Sequence, residues 1–159
     1  MNLVNGITFF IKEPEAGPEV FQAAIWKRLV GPEAIFEEYD RHFNFPYYGF
    51  NWDALDECLT DLQWISQPQI VITHHTLPEL SENDFRTYLE VLCRAIESWI
   101  KFREDEHWPE YIEHWLEVRF KLTYEKQVKS VAGEAGLAKY FVYAKLSLLP
   151  GAGRGAARV

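Results

Sequence analysis

Apolar residues recur along this chain at two periods, and the switches between them mark out its elements. Ile7-Thr8-Phe9-Phe10-Ile11 is a β-rich run closed by Lys12, Glu13 and Pro14, which predicts a strand and then a turn-rich connection to Pro18. Glu19 to Arg28 carries both signals. Val20, Phe21, Ile25 and Trp26 favour a strand and Gln22-Ala23-Ala24 a helix, and the balance reads as strand. Gly31-Pro32 opens a helix with Glu33 in its first turn and Ile35, Phe36, Tyr39 and Phe43 along one stripe. Asn44 to Phe50 is a loop, and Asn51 can cap a second helix running from Trp52 to about Gln63.

Gln69 to His74 is a β-branched run of the right length for a buried central strand. Ser81, with Asp84 three residues on, starts a long helix that ends near Glu104, with Phe85, Tyr88, Leu89, Leu92, Ile96, Trp99 and Ile100 on one face. Leu116, Val118, Phe120, Leu122 and Tyr124 alternate with polar neighbours, which predicts a half-buried strand over 116–124. Tyr140 to Leu149 alternates similarly, as a further strand or an extension, and 126–139 takes no assignment. Residues 150–159 are Gly- and Ala-rich and read as a mobile tail. Strands alternating with helices predict an α/β fold: a small, mostly parallel β-sheet covered by three or more helices. We expect a single domain over 1–149, with a core of about 19–124, a C-terminal extension over 125–149 and a flexible tail over 150–159.

Composition narrows the class. A chain of 159 residues can bury a sizeable core without staples. Cys58 and Cys93 fall in apolar helical registers and lack CxxC spacing, as expected of reduced core thiols in a cytosolic protein. The amino-terminal residues have no basic stretch followed by a long apolar one, and no run approaches eighteen apolar residues, so neither export nor a membrane is expected. The net charge of −8 argues against nucleic acid as a direct partner, because binding phosphate needs clustered Lys and Arg.

The charge is also unevenly placed. Between Gly31 and Ser66 eight acids (Glu33, Glu37, Glu38, Asp40, Asp53, Asp56, Glu57 and Asp61) face one Arg, Arg41, so −7 of the −8 lies in that window. In the second helix Leu55, Cys58, Leu59 and Leu62 form the apolar face, and Asp53, Asp56, Glu57 and Asp61 lie off it. Asp53 to Glu57 and Glu57 to Asp61 are like-charge pairs four apart, each unfavourable by roughly 0.2 to 0.5 kcal/mol in an isolated helix. A solvated acidic face would explain the charge alone. A basic partner would also explain the aromatics set beside it.

The run Tyr47-Tyr48-Gly49-Phe50-Asn51-Trp52-Asp53-Ala54-Leu55-Asp56-Glu57-Cys58-Leu59-Thr60 resembles the barstar family, intracellular inhibitors of secreted bacterial ribonucleases. The shared pattern is an aromatic pair, Gly, any residue, Asn, an apolar residue, Asp-Ala-Leu, any residue, an acid, then Cys-Leu. The resemblance implies a small parallel sheet packed by helices, no cofactor and no catalysis. It also implies inhibition by insertion of the acidic helix into a nuclease active site, where carboxylates take the place of substrate phosphates. On that basis the partner-binding residues would be Tyr47, Asn51, Trp52, Asp53, Asp56, Glu57, Thr60 and Asp61. Tyr47 matches an aromatic laid against the nuclease, Asp53 an acid that pairs with a basic side chain, and Glu57 the position of the family's dominant aspartate. Asp56 stands where the best-known members have an aromatic, and Leu62 where another has tryptophan. A further acid that the family supplies from a later helix would be Glu97 or Glu104.

The residues themselves leave other readings open. Gly49 and Asn51 serve a turn and a cap, Tyr48, Leu55, Cys58 and Leu59 read as core, and Trp52 suits either a packing staple or a rim anchor. Asp53 and Glu57 as a general acid and base would need a cleft and further groups that the sequence does not supply. His74, His75, His107 and His114 lack metal-ligand spacing, so no metal is expected. The functional expectation is therefore an immunity protein for a basic ribonuclease toxin. The alternative is a binding module of the same fold, directed at a non-ribonuclease toxin or a sibling subunit, to which exposed Trp108, Tyr111 and Trp115 would contribute.

Overall fold

The computed structural model describes residues 3–104 and 112–142. Four strands, β1 (Gly6–Phe10), β2 (Val20–Ile25), β3 (Gln69–His74) and β4 (Trp115–Lys121), form one sheet in the order β1-β4-β3-β2, with every pairing parallel. The helices are α1 (Pro32–Phe43), α2 (Trp52–Asp61), α3 (Glu82–Glu104) and α4 (Glu125–Glu134). This is the expected α/β architecture, with β3 interior and buried along its whole length. None of the described helices is long and apolar enough to cross a membrane.

Register sorts the sheet's side chains into two faces. Ile70, Ile72 and His74 of β3 pair with Leu116, Val118 and Phe120 of β4, and this face looks onto α3: His74 stacks on Phe120 and meets Tyr88 edge-on. The His74 ring is fixed by what surrounds it. Its Nδ1 lies 3.0 Å from the Arg119 carbonyl, which can only accept, so Nδ1 carries the proton. Nε2 therefore accepts from the Tyr88 hydroxyl at 2.6 Å, and that oxygen accepts in turn from Tyr39 at 2.7 Å. Burial lowers the pKa of His74 to about 4, so the ring is neutral at pH 7.

The opposite face corrects the half-buried reading of the last strand. Glu117 and Arg119 do alternate with apolar residues, yet they are buried too, because polar groups close over them. Thr8 donates to Glu117 at 2.7 Å, Arg119 pairs with Glu117 at 2.9 Å and lies 3.7 Å from Glu13, and Glu13 accepts from Thr73 at 2.7 Å. A buried ion pair persists when its remaining lone pairs and protons find such partners. The strand also stops at Lys121, and Leu122–Tyr124 form a short 3-10 turn leading into α4.

Helix α4 falls in the segment that took no assignment from the sequence. Only Val128 and Ala132 bury fully, too thin an apolar stripe to stand out. At the start of the last alternating stretch, Tyr140 ends a 3-10 turn (Ala138–Tyr140), and Phe141 bridges to Ile7 at the edge of the sheet. The expectations for 143–149, the 150–159 tail, His107, Trp108 and Tyr111 lie outside the described residues. Trp115, expected to be exposed, is half-buried, with the Arg103 guanidinium 3.9 Å from its ring centre.

Candidate functional site

Helix α2 is fastened at both ends and along its inner side. Asn51 caps it, accepting from the Ala54 amide at 2.8 Å while its own amide donates to the Gly49 carbonyl at 3.2 Å. Leu55, Cys58 and Leu59 are buried against α3. At the far end Leu62 turns into the left-handed region, and two rings take up orphan carbonyls: Trp99 Nε1 donates to Leu59 at 2.9 Å, and His114 Nε2 lies 2.8 Å from the Leu62 oxygen.

The approach loop is tied to the same helix. The Cys58 thiol donates to the Tyr47 carbonyl at 3.2 Å, and burial with nearby acids pushes its pKa up to about 11. The Tyr47 hydroxyl reaches across to Asp61 at 2.5 Å. That hydrogen bond holds the Tyr47 phenol well above its ordinary pKa. Asp61 sits at the negative end of the helix dipole, where a carboxylate is disfavoured, and the phenol donor offsets this.

The eight residues expected to meet a partner do not all face the same way. Asp53, Glu57 and Asp61 recur every four residues along roughly 12 Å of helix. Among the described residues no hydrogen bond or ion pair holds the carboxylate of Asp53 or Glu57, and both are exposed. Tyr47 is 47% exposed and stands over the end of this stripe. Asn51 is exposed but occupied as the cap, and the Thr60 hydroxyl donates to the Glu57 carbonyl at 2.9 Å.

Two residues turn elsewhere. Asp56 points to α3, where one oxygen lies 3.3 Å from Arg94 Nε and the other is buried without a hydrogen-bond partner, so the four acids do not form one solvent-facing set. Trp52 is half-buried, edge-on to Phe36 at 4.9 Å and 6.0 Å from Tyr88, which matches the packing reading. Of the acids considered on α3, Glu97 is engaged by Lys101 and by the Tyr140 hydroxyl.

The family described as barstar (barnase inhibitor) matches residues 25–114, more than half of the chain. The chain belongs to the barstar family. It is accordingly a barnase-inhibitor-like protein. The barstar match takes in α1, α2, β3 and α3 and ends just before β4, so β1, β4 and α4 lie outside it. No curated protein and no solved structure matches the chain.

Of the histidines named above, His74 serves the core relay, His75 lies 2.6 Å from Glu13 and stacks on Trp26, and His114 sits buried between the Leu62 and Gln67 carbonyls. Among the described residues no group of three His, Cys, Asp or Glu is placed to hold a metal. Sequence reasoning overlooked Phe50. It holds the position that accepts any residue in the barstar pattern, yet it is 48% exposed, lies tilted against Tyr48 at 4.6 Å and adopts φ +50°. A large aromatic between the turn glycine and the cap was the available signal.

Proposed function

We propose that this protein inhibits a basic ribonuclease toxin, without activity of its own, by placing α2 in the nuclease active site so that carboxylates occupy the phosphate positions. The observation that carries the reading is the pair Asp53 and Glu57. Both are exposed and unengaged among the described residues, on a helix whose cap, inner side and last carbonyls are all fixed. Carboxylates held at set spacing form charge-assisted hydrogen bonds with Arg and Lys at little cost in ordering. Tyr47 would close over the nuclease beside them, with Asn51, Thr60 and Asp61 at the rim and Trp52 and Asp56 contributing from the side. The buried free thiols Cys58 and Cys93 suit a cytoplasmic setting.

The test is inhibition of RNA hydrolysis by the chain's cognate ribonuclease at low and high salt. Asp53→Ala and Glu57→Ala should each weaken inhibition by about 1.5 to 3 kcal/mol, with the wild type losing affinity as salt rises. If both variants inhibit like the wild type, α2 is not the interface. A second reading keeps the same face for a basic toxin that is not a ribonuclease. It is favoured by Asp56, which Arg94 draws toward α3. Equal binding of such a partner without any effect on RNA hydrolysis would select it.

A further inference from the structure

Phe50 is costly to the domain in two ways. A bulky residue at φ +50° gives up roughly 1 to 3 kcal/mol of backbone energy that Gly or Asn would largely avoid. The residue also stays about half exposed to water. The ring is nonetheless held in place. It packs at a tilt against Tyr48, centroids 4.6 Å apart, and the Tyr48 ring leans on buried Phe45 at 4.7 Å, so the exposed face is presented by a fixed support. Phe50 immediately precedes the Asn51 cap and therefore lies at the end of α2 that carries Asp53. Tyr47, exposed to the same degree, comes from the same loop.

An apolar anchor beside uncompensated acids suits one kind of surface. We propose that Phe50 is a specificity-determining anchor that enters an apolar pocket bordering the basic cleft of the partner protein. This inference rests on the reading of α2 as the interface. It assigns a division of labour: Asp53 and Glu57 meet the cations, and Phe50 selects among basic partners by what lies next to those cations. Ring burial in a pocket recovers the hydration cost, and interface affinity concentrates in such fixed aromatic anchors.

The experiment uses the full chain, NMR titration and two short peptides of equal charge, one alternating arginine with serine and the other arginine with leucine. Both should shift the resonances of Asp53 and Glu57. The arginine–leucine peptide should also shift the Phe50 ring and bind roughly five- to tenfold tighter. Phe50→Asn, which tolerates the left-handed backbone, should abolish that preference while leaving the thermal midpoint unchanged or higher. The inference is overturned if wild type shows no preference, or if Phe50→Asn keeps the preference or lowers the midpoint. If neither peptide reaches Asp53 and Glu57, the reading of α2 as the interface fails instead.

Discussion

The hydroxyl of Tyr47 donates to the carboxylate of Asp61 at 2.5 Å, joining the approach loop to the last turn of α2 fourteen residues later. Ionising the phenol would set a second negative charge against Asp61, which is why its pKa is raised. In Asp61→Ala, which removes the acceptor as well as the charge, the exposed Tyr47 should titrate closer to its ordinary value, about 10. Ultraviolet titration should therefore show one more tyrosine ionising near that pH than in wild type. If the curves coincide, the loop is not held by this contact in solution.

His74 predicts acid lability. Its folded pKa of about 4 lies below the ordinary 6.5, so below pH 6.5 the unfolded chain takes up a proton that the folded one refuses. The stability due to this group is complete above pH 6.5 and is lost as pH falls from there to about 4, a span worth about 3 kcal/mol. Denaturant unfolding at pH 7.5 and 4.5 measures the loss. His74→Phe should be less stable at neutral pH, because the Tyr88 hydroxyl loses the acceptor of its proton and keeps only its contact with Tyr39, but should show a shallower pH dependence.

Trp99 should matter to α2 without touching its outer face. Trp99→Phe removes the donor to the Leu59 carbonyl and leaves a buried acceptor unmet, at about 1 to 3 kcal/mol. The expected signature is a lower unfolding midpoint with near-wild-type partner affinity below that midpoint. An equal fall in affinity would mean that the helix is less rigidly seated than its contacts imply.

Asp56 should separate from the other acids. Its pair with Arg94 is partly exposed, and Asp56→Ala should change stability by no more than about 1 kcal/mol. Its effect on partner affinity should be smaller than that of Asp53→Ala or Glu57→Ala, because Asp56 already faces α3. Binding assays on the three variants decide the order.

The thiols should be inert. Burial pushes Cys58 to about 11 and Cys93 to about 12, which leaves little thiolate at pH 8. Reaction with a thiol reagent should proceed at the rate of unfolding, and labelling that is fast in native buffer would contradict this.

Much of the fold was legible in the sequence because single-period patterns governed it. The β-branched run Gln69 to His74 gave a fully buried strand, and the stripe through Phe85 and Trp99 gave α3. The polar side of β4 was misread because alternation looks the same whether Glu117 and Arg119 face water or each other. Nothing local distinguishes the two, since Thr8 and Glu13 arrive from more than a hundred residues away. Helix α4 was missed for want of apolar residues. At the site, charge and spacing located α2, but only packing could show that Arg94 draws Asp56 aside and that Phe50 stays in water.

The anchoring of α2 has an evolutionary consequence. Its cap, its inner leucines and the rings that meet its last carbonyls define its position, and Asp53 and Glu57 contribute to none of these. Side chains at those two positions can therefore be exchanged without retuning the fold. A lineage carrying this frame can follow a changing binding partner by altering a few outward residues, while the scaffold that aims them remains under separate selection.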